Sequence, residues 1–422
     1  MDLAPGTIDV AGRRLDLDLI RAAIVAGLVF YHTAAVFSPV EFYVNNRPSS
    51  FAMTLFVFFA KLWAMPLLFL VAGAGAWSSL RTRSVRDFIR SRLRRLLVPL
   101  VVGIALVVPP QVYFSLLARN QDPGSYWQFL GNFFDMRLAP GFPSVIRGDG
   151  PDPLFQAGHL WFLYNLLVYT FLLLPLFAYL RGSSGHRVRD WLTGRVRRHG
   201  GFLLLAGPVV MIEAALGTWD PGGWNNYAYL PFLLYGFLMA ADRRLAEAVR
   251  CRWKEALAVG IVTLPILFVI AHYDIGGTGR LLGSDYHPWS VLWRLLKAVA
   301  GWAWTIGIFG LVATLVQRPA KRGSSVTRSA LAGQLGRYAN EAVLPFYVVH
   351  QAPIVIVGFY VVQWDVGIAA KYLTISLVSF AITLAVYDLL IRRTNVTRLL
   401  FGMPRLRSGV PTPARTAVGD KR

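Results

Sequence analysis

The chain has 422 residues, 55% of them hydrophobic and only 15% charged. Its apolar runs are long enough to cross a hydrocarbon layer and too many to hide in one water-soluble core, so it reads as an all-α, polytopic integral membrane protein. The formal net charge of +21 sits in short loops between spans rather than on one soluble face, which sets nucleic-acid binding aside and points to orientation and anionic membrane lipids instead.

Taken in order, apolar windows predict ten transmembrane helices at about 19–38, 51–78, 96–118, 159–180, 201–217, 227–241, 255–272, 289–316, 340–363 and 370–391. Residues 1–38 have the outline of a signal peptide, but the apolar run is longer than a signal core and meets Pro39, so an uncleaved anchor is expected. The expected division is a cytoplasmic segment 1–18, a transmembrane domain 19–391, and a cytoplasmic tail 392–422 whose Pro, Arg and Thr content reads as disorder.

Connecting charge alternates along this series. Basic clusters fall at Arg13/Arg14, Arg81 to Arg95, Arg181 to Arg198, Arg243 to Lys254, Arg318 to Arg337 and from Arg392 onward, while the intervening loops carry mostly acids. By the positive-inside rule both termini are then cytoplasmic, and merging or dropping one span would put Arg-rich loops on both sides. Losing 201–217 together with 227–241, the shortest, would leave eight spans in the same orientation. The outer loop 119–158 is long and rich in Pro, Gly and aromatics, which suits a lid, a binding loop or a short interfacial helix. Cys251, the single cysteine, lies between Arg250 and Arg252, excludes an intrachain disulfide and reads as an incidental cytosolic thiol.

The first span carries two costly residues. Arg21 and His32 are eleven positions apart, about 16 Å of rise and only about 20° of rotation on an α-helix, so they share a face. Intramembrane ionisable groups are functional candidates by default. Asp18, three residues before Arg21, is placed to neutralise it but is too far along the axis to orient His32, whose partner must come from another helix. A neutral imidazole there can act as a general base toward a hydroxyl. Arg92 and Arg95, three apart at the entrance to the third span, either serve topology or form a phosphate-binding cluster. Lys61, His159, His272, His350, Glu213, Lys297 and Asp388 are further polar groups in or at the edge of spans. Lys61 pairs with a carboxylate such as Glu213 or holds an anionic group. No metal site is expected.

Arg21 with ten residues before His32, the span ending Met65-Pro66-Leu67-Leu68-Phe69-Leu70-Val71-Ala72-Gly73, the Arg92/Arg95 helix entry and Gly158-His159-Leu160-Trp161-Phe162-Leu163 occur in the order seen in a known family. Over about residues 14–390 the chain resembles the acyltransferase-3 family of bacterial membrane O-acyltransferases. Val108-Pro109-Pro110-Gln111-Val112-Tyr113 and the His-Leu-Trp-Phe-Leu form are similar to its glucans biosynthesis protein C branch.

The resemblance implies a ten-span enzyme of the bacterial plasma (inner) membrane. It would move an acyl group from cytoplasmic acyl-CoA, with acetyl-CoA and succinyl-CoA both plausible co-substrates, to a hydroxyl of a glucan or other carbohydrate on the outer side. It implies His32 as the catalytic residue and Arg21 as the donor-side arginine. With this, Arg92 and Arg95 become phosphate ligands, and His159, Trp161 and Asn165 candidates to stabilise a tetrahedral intermediate. No permanently bound cofactor is implied, acceptor recognition falls to the outer loops, and a homo-oligomer is compatible with the sequence. The rival from another class is a multispan transporter or exporter in which His32, Lys61 and His350 line a path. That class predicts internal symmetry or broken helices in corresponding halves. A third is a non-catalytic membrane partner that keeps the fold.

Overall fold

Helices account for most of the computed structural model, which describes residues 15–139, 146–149, 153–218, 222–273, 286–316 and 326–406. The expected segment before residue 15 and the tail beyond 406 lie outside the described residues.

Six stretches are long and apolar enough to cross a membrane. They are α1 (Leu15–Val36), α2 (Phe51–Thr82), the composite Val85–Ala118 made of α3 (Val85–Arg92), α4 (Val98–Leu106) and α5 (Val108–Ala118), then Trp253–Ala271, Pro288–Val316 and Ile368–Ile391. Between the composite and the fourth stretch come α6 (Tyr126–Phe133), α7 (Trp161–Leu172), α8 (Leu174–Arg181), α9 (Ser183–Val196), α10 (Gly207–Leu216), α11 (Tyr229–Ala241) and α12 (Arg243–Cys251). The later helices are α13 (Trp253–His272), α14 (Pro288–Val316), α15 (Val326–Val349), α16 (Gln351–Val361), α17 (Ile368–Val386) and α18 (Asn395–Leu400).

Two of the expected spans are broken. Gly158–Leu172 meets α8 at 52°, and Gln334–Val349 meets α16 at 54°. Proline explains both: Pro175 opens α8, and Pro353, which has no N–H, cannot close the ladder onto the Val349 carbonyl. Counting each bent pair as one span gives up to eight. The two shortest expected spans, 201–217 and 227–241, are a 3-10 turn leading into α10 and the thirteen-residue α11, both below the ~20 residues of a straight crossing.

Helix α1 packs against α2, α14, α15, α16 and α17. Helices α2 and α11 approach most closely at glycine. A Cβ on Gly73 would stand 2.0 Å from the Leu233 carbonyl oxygen, and one on Gly236 1.8 Å from that of Leu70. Small residues let membrane helices meet backbone to backbone where no hydrophobic effect drives them together.

The described part of segment 119–158 is structured. Ser125 and Gln128 form a capping box on α6, and Phe129 and Phe133 bury against Tyr113 and Phe155 while Trp127 stays 80% exposed. It continues into a small antiparallel hairpin, β1 (Met136–Leu138) with β2 (Ile146–Gly148), the departure from helix among the described residues. A short helix is therefore present in this segment, as expected.

Candidate active site

At the N-terminal end of α1 the Arg21 guanidinium lies 3.2 Å from Asp18 and also donates to the side-chain oxygen of Asn340 on α15. Asn340 in turn donates to the second Asp18 oxygen at 3.3 Å. Arg21 Nε is buried without a partner. Arg92 and Arg95 come within electrostatic reach of Arg21, and Arg83 joins them. Arg92 stacks over Phe88, 5.1 Å from its centroid.

The turn that carries this cluster differs from a plain helix. Residues Leu93–Leu97 form a π-turn in which the Val98 N–H reaches back to the Leu93 carbonyl. Pro99 cannot donate to the Arg95 carbonyl, which loosens the ladder there. Such wide turns recur at functional sites.

Along the same face of α1 runs a cavity of about 660 Å³. Ile20, Ile24, Leu28, His32 and Ala35 line it, so it extends from one residue before Arg21 past His32. Glu41, Phe42, Tyr43 and Gln156 line its other end, and Lys61, His159, Trp161, Tyr347 and Gln351 complete the polar and aromatic wall. His32 stacks on Phe42 at 5.6 Å and meets the edge of Tyr31 at 4.9 Å.

Three imidazoles stand in a row. His32 and His350 have ring centroids 5.3 Å apart, and His350 and His159 5.2 Å. His159 Nε2 lies 2.9 Å from the Val348 carbonyl oxygen, and His350 Nδ1 2.7 Å from that of Tyr347. A carbonyl only accepts, so both nitrogens carry hydrogen, and the neutral rings keep lone pairs at His159 Nδ1 and His350 Nε2. Both atoms are buried and partnerless, as is Gln351 Oε1. No group of three or more side chains among the described residues could hold a metal ion. The positive-φ Gly158 sets His159 in place, since a Cβ there would meet the Tyr43 hydroxyl at 2.9 Å, and the Tyr347 hydroxyl donates to the His159 carbonyl.

The structure thus gathers Arg21, Arg92 and Arg95 at one end and His32, Lys61, His159 and Trp161 around the cavity, with His350 behind it. Asn165 stands apart. Its amide donates to Asn226 at 3.2 Å, beside the Tyr169 hydroxyl bond to the Asn226 carbonyl at 2.7 Å, and it does not line the cavity. It ties α7 to the turn before α11 and is not placed to meet an oxyanion. The neutral form of His159 likewise has no N–H left for one.

The Lys61–Glu213 pairing is also corrected. Glu213 is fully buried against Lys297 at 2.7 Å and accepts the Asn225 N–H at 2.6 Å. Lys297 further donates to Thr218 and the Gly223 carbonyl and sits over Trp224 and Trp293. Lys61 instead lies along Gly223 on the cavity wall. Asp388 takes the Tyr338 hydroxyl at 2.8 Å and Arg392 at 3.3 Å. The His272 side chain lies outside the described residues. Cys251 is exposed, and partial burial with the neighbouring Glu247 carboxylate pushes its thiol up, away from an activated nucleophile.

Sequence inspection missed Tyr347, Gln351 and Asn340. The first two flank His350 just ahead of Pro353, so the break was the available signal; a lone asparagine 319 positions from Arg21 gave none.

An all-helical, multi-pass membrane fold enclosing a histidine-lined cavity beside an arginine cluster defines the class. The chain belongs to the acyltransferase-3 family, whose acyltransferase domain matches residues 14–392. Among curated relatives, glucans biosynthesis protein C of Escherichia coli strain K12 / DH10B is 25% identical over 173 residues, 41% of this chain and 41% of that protein. Its namesake from E. coli strain SMS-3-5 / SECEC is 24% identical over the same length. The chain spans about two-fifths of the length of the curated relatives it matches. No solved structure matches it.

Proposed function

We propose that the protein is a membrane O-acyltransferase that moves an acetyl or succinyl group from cytoplasmic acyl-CoA to a hydroxyl of a glucan or other carbohydrate on the outer side. The observation that carries this is one cavity running along α1 from beside Arg21 to beyond His32. In the bacterial inner membrane, with ten spans and both termini cytoplasmic, the arginine cluster faces the cytosol. Residues 19–391 form the catalytic unit. Glucan as acceptor follows the printed name of the E. coli relatives.

Arg21, Arg92 and Arg95 hold the coenzyme A phosphates through charge-assisted hydrogen bonds. The pantetheine arm then has about 16 Å of helix rise to cover to reach His32. His32 takes the acceptor hydroxyl proton as the oxygen attacks the thioester carbonyl. The new C–O bond forms, the C–S bond breaks, and the imidazolium returns its proton to the departing thiolate. Lys61 is the cation on the wall where negative charge would develop.

The test is His32→Ala in proteoliposomes given acetyl-CoA or succinyl-CoA and glucan oligosaccharides. Transfer should fall about 10²–10⁴-fold with insertion unchanged; near-normal turnover would remove His32 from the chemistry. The two broken spans are a feature that transporters share. Oligosaccharide uptake without coenzyme A release in the same vesicles would favour that alternative.

A further inference from the structure

We propose that His350 is the positioning residue for His32, accepting a hydrogen bond from the base's second ring nitrogen in the place where a carboxylate often serves. This rests on His32 being the base of the proposed transfer. His350 is fully buried and does not line the cavity, so it stands behind His32 rather than among the substrates. Its Nδ1–H is committed to the Tyr347 carbonyl, which leaves Nε2 as an acceptor, and that atom has no partner. Buried acceptors are rarely left empty, so a donor is to be sought nearby.

The titratable and aromatic neighbours of His350 narrow the choice. The titratable groups acting on His350 are His159 and His32. His159 cannot donate when neutral, because its N–H goes to Val348 and its remaining nitrogen is also a lone pair. The ring of Phe346 stacks parallel to His350 at 6.4 Å and offers no polar hydrogen. His32 remains, 5.3 Å away centroid to centroid with the planes inclined by 42°. No hydrogen bond joins the two rings in this structure, but at that separation a rotation of the His32 ring brings one of its nitrogens to about 3 Å from His350 Nε2, a hydrogen-bond distance. Contacts of this kind often tighten only when substrates bind.

The consequence is a fixed tautomer. With one nitrogen held as N–H toward His350, the other presents its lone pair to the cavity, and the imidazolium formed during transfer keeps its partner. The broken span serves this arrangement, because the 54° bend falls at His350 itself, ahead of Pro353.

Three variants test the assignment in proteoliposomes with acetyl-CoA or succinyl-CoA and glucan oligosaccharides, read as coenzyme A thiol released. His350→Phe keeps the ring against Phe346 but removes the acceptor. It should lower kcat about a hundredfold while the KM for acyl-CoA stays within about twofold. His350→Gln, whose side-chain oxygen can accept the same N–H, should recover at least about tenfold of that loss. Thermal unfolding of each purified variant separates folding from chemistry, and if His350→Phe does not insert, His350→Gln against His350→Met gives the same comparison. Unchanged kcat in the variant without an acceptor, or no difference between it and His350→Gln, would overturn the assignment. His32→Ala run in parallel keeps the two claims apart. An active His32→Ala sinks the base itself, whereas an inactive one beside an active His350→Phe sinks only the positioning role.

Discussion

Arg21 and His32 are expensive in hydrocarbon, and the structure shows where each finds company: Arg21 with Asp18 and Asn340, His32 in a row of imidazoles. Asp18 and Asn340 partly satisfy the Arg21 guanidinium and leave its buried Nε without a partner. Arg92 and Arg95 have no such acid beside them among their electrostatic neighbours except Asp18, which acts on Arg95. Arginines that repel one another are well placed for a polyanion. Replacing both by alanine should raise the apparent KM for acyl-CoA about ten- to a hundredfold, with kcat at saturating donor little changed. Steady-state titration of the donor checks it, and unchanged donor dependence would return both residues to topology. The Arg21-to-His32 face was legible because it lies within one helix, where spacing alone fixes direction. The contacts of His350 with His32 and of Asn340 with Arg21 and Asp18 were not, since they join residues more than 300 positions apart through tertiary packing.

At the scale of elements, breaks do as much as helices. Proline at 99, 175 and 353 removes backbone donors, and the chain answers with a π-turn at the arginine cluster and two bends. Windowed hydropathy registers length and polarity but not direction, so it read 159–180 and 340–363 as straight spans. The sequence leaves Lys61 to a carboxylate such as Glu213 or to an anionic group, because it does not show which helices meet. The fold instead brings α14 against α10, so that Lys297 reaches Glu213 first. Because that pair is fully desolvated, removing one partner strands the other. Glu213→Ala should destabilise the protein by about 3–5 kcal/mol, seen as a lower unfolding midpoint in detergent, and a Glu213→Ala, Lys297→Met double variant should recover part of it. A single variant as stable as the parent would show the pair to be dispensable.

For the whole molecule, the all-helical membrane class was legible from composition, and family membership from short motifs in order. The span count was less so: six helices meet the length test, eight with the bent pairs, and α10 and α11 are too short to be read as straight crossings. What joins these elements into a device is the cavity along α1, with arginines beyond one end and Glu41, Phe42, Tyr43 and Gln156 at the other. The transfer we propose would use it to connect a donor on one side with an acceptor on the other. The most direct measurement is mass spectrometry of surface glycans from cells expressing the native protein, cells expressing His32→Ala and cells lacking the gene. Acyl transfer predicts a single acyl mass increment on glycan in the first and its loss in the other two. An identical glycan profile in all three, or an increment that persists with His32→Ala, would contradict it.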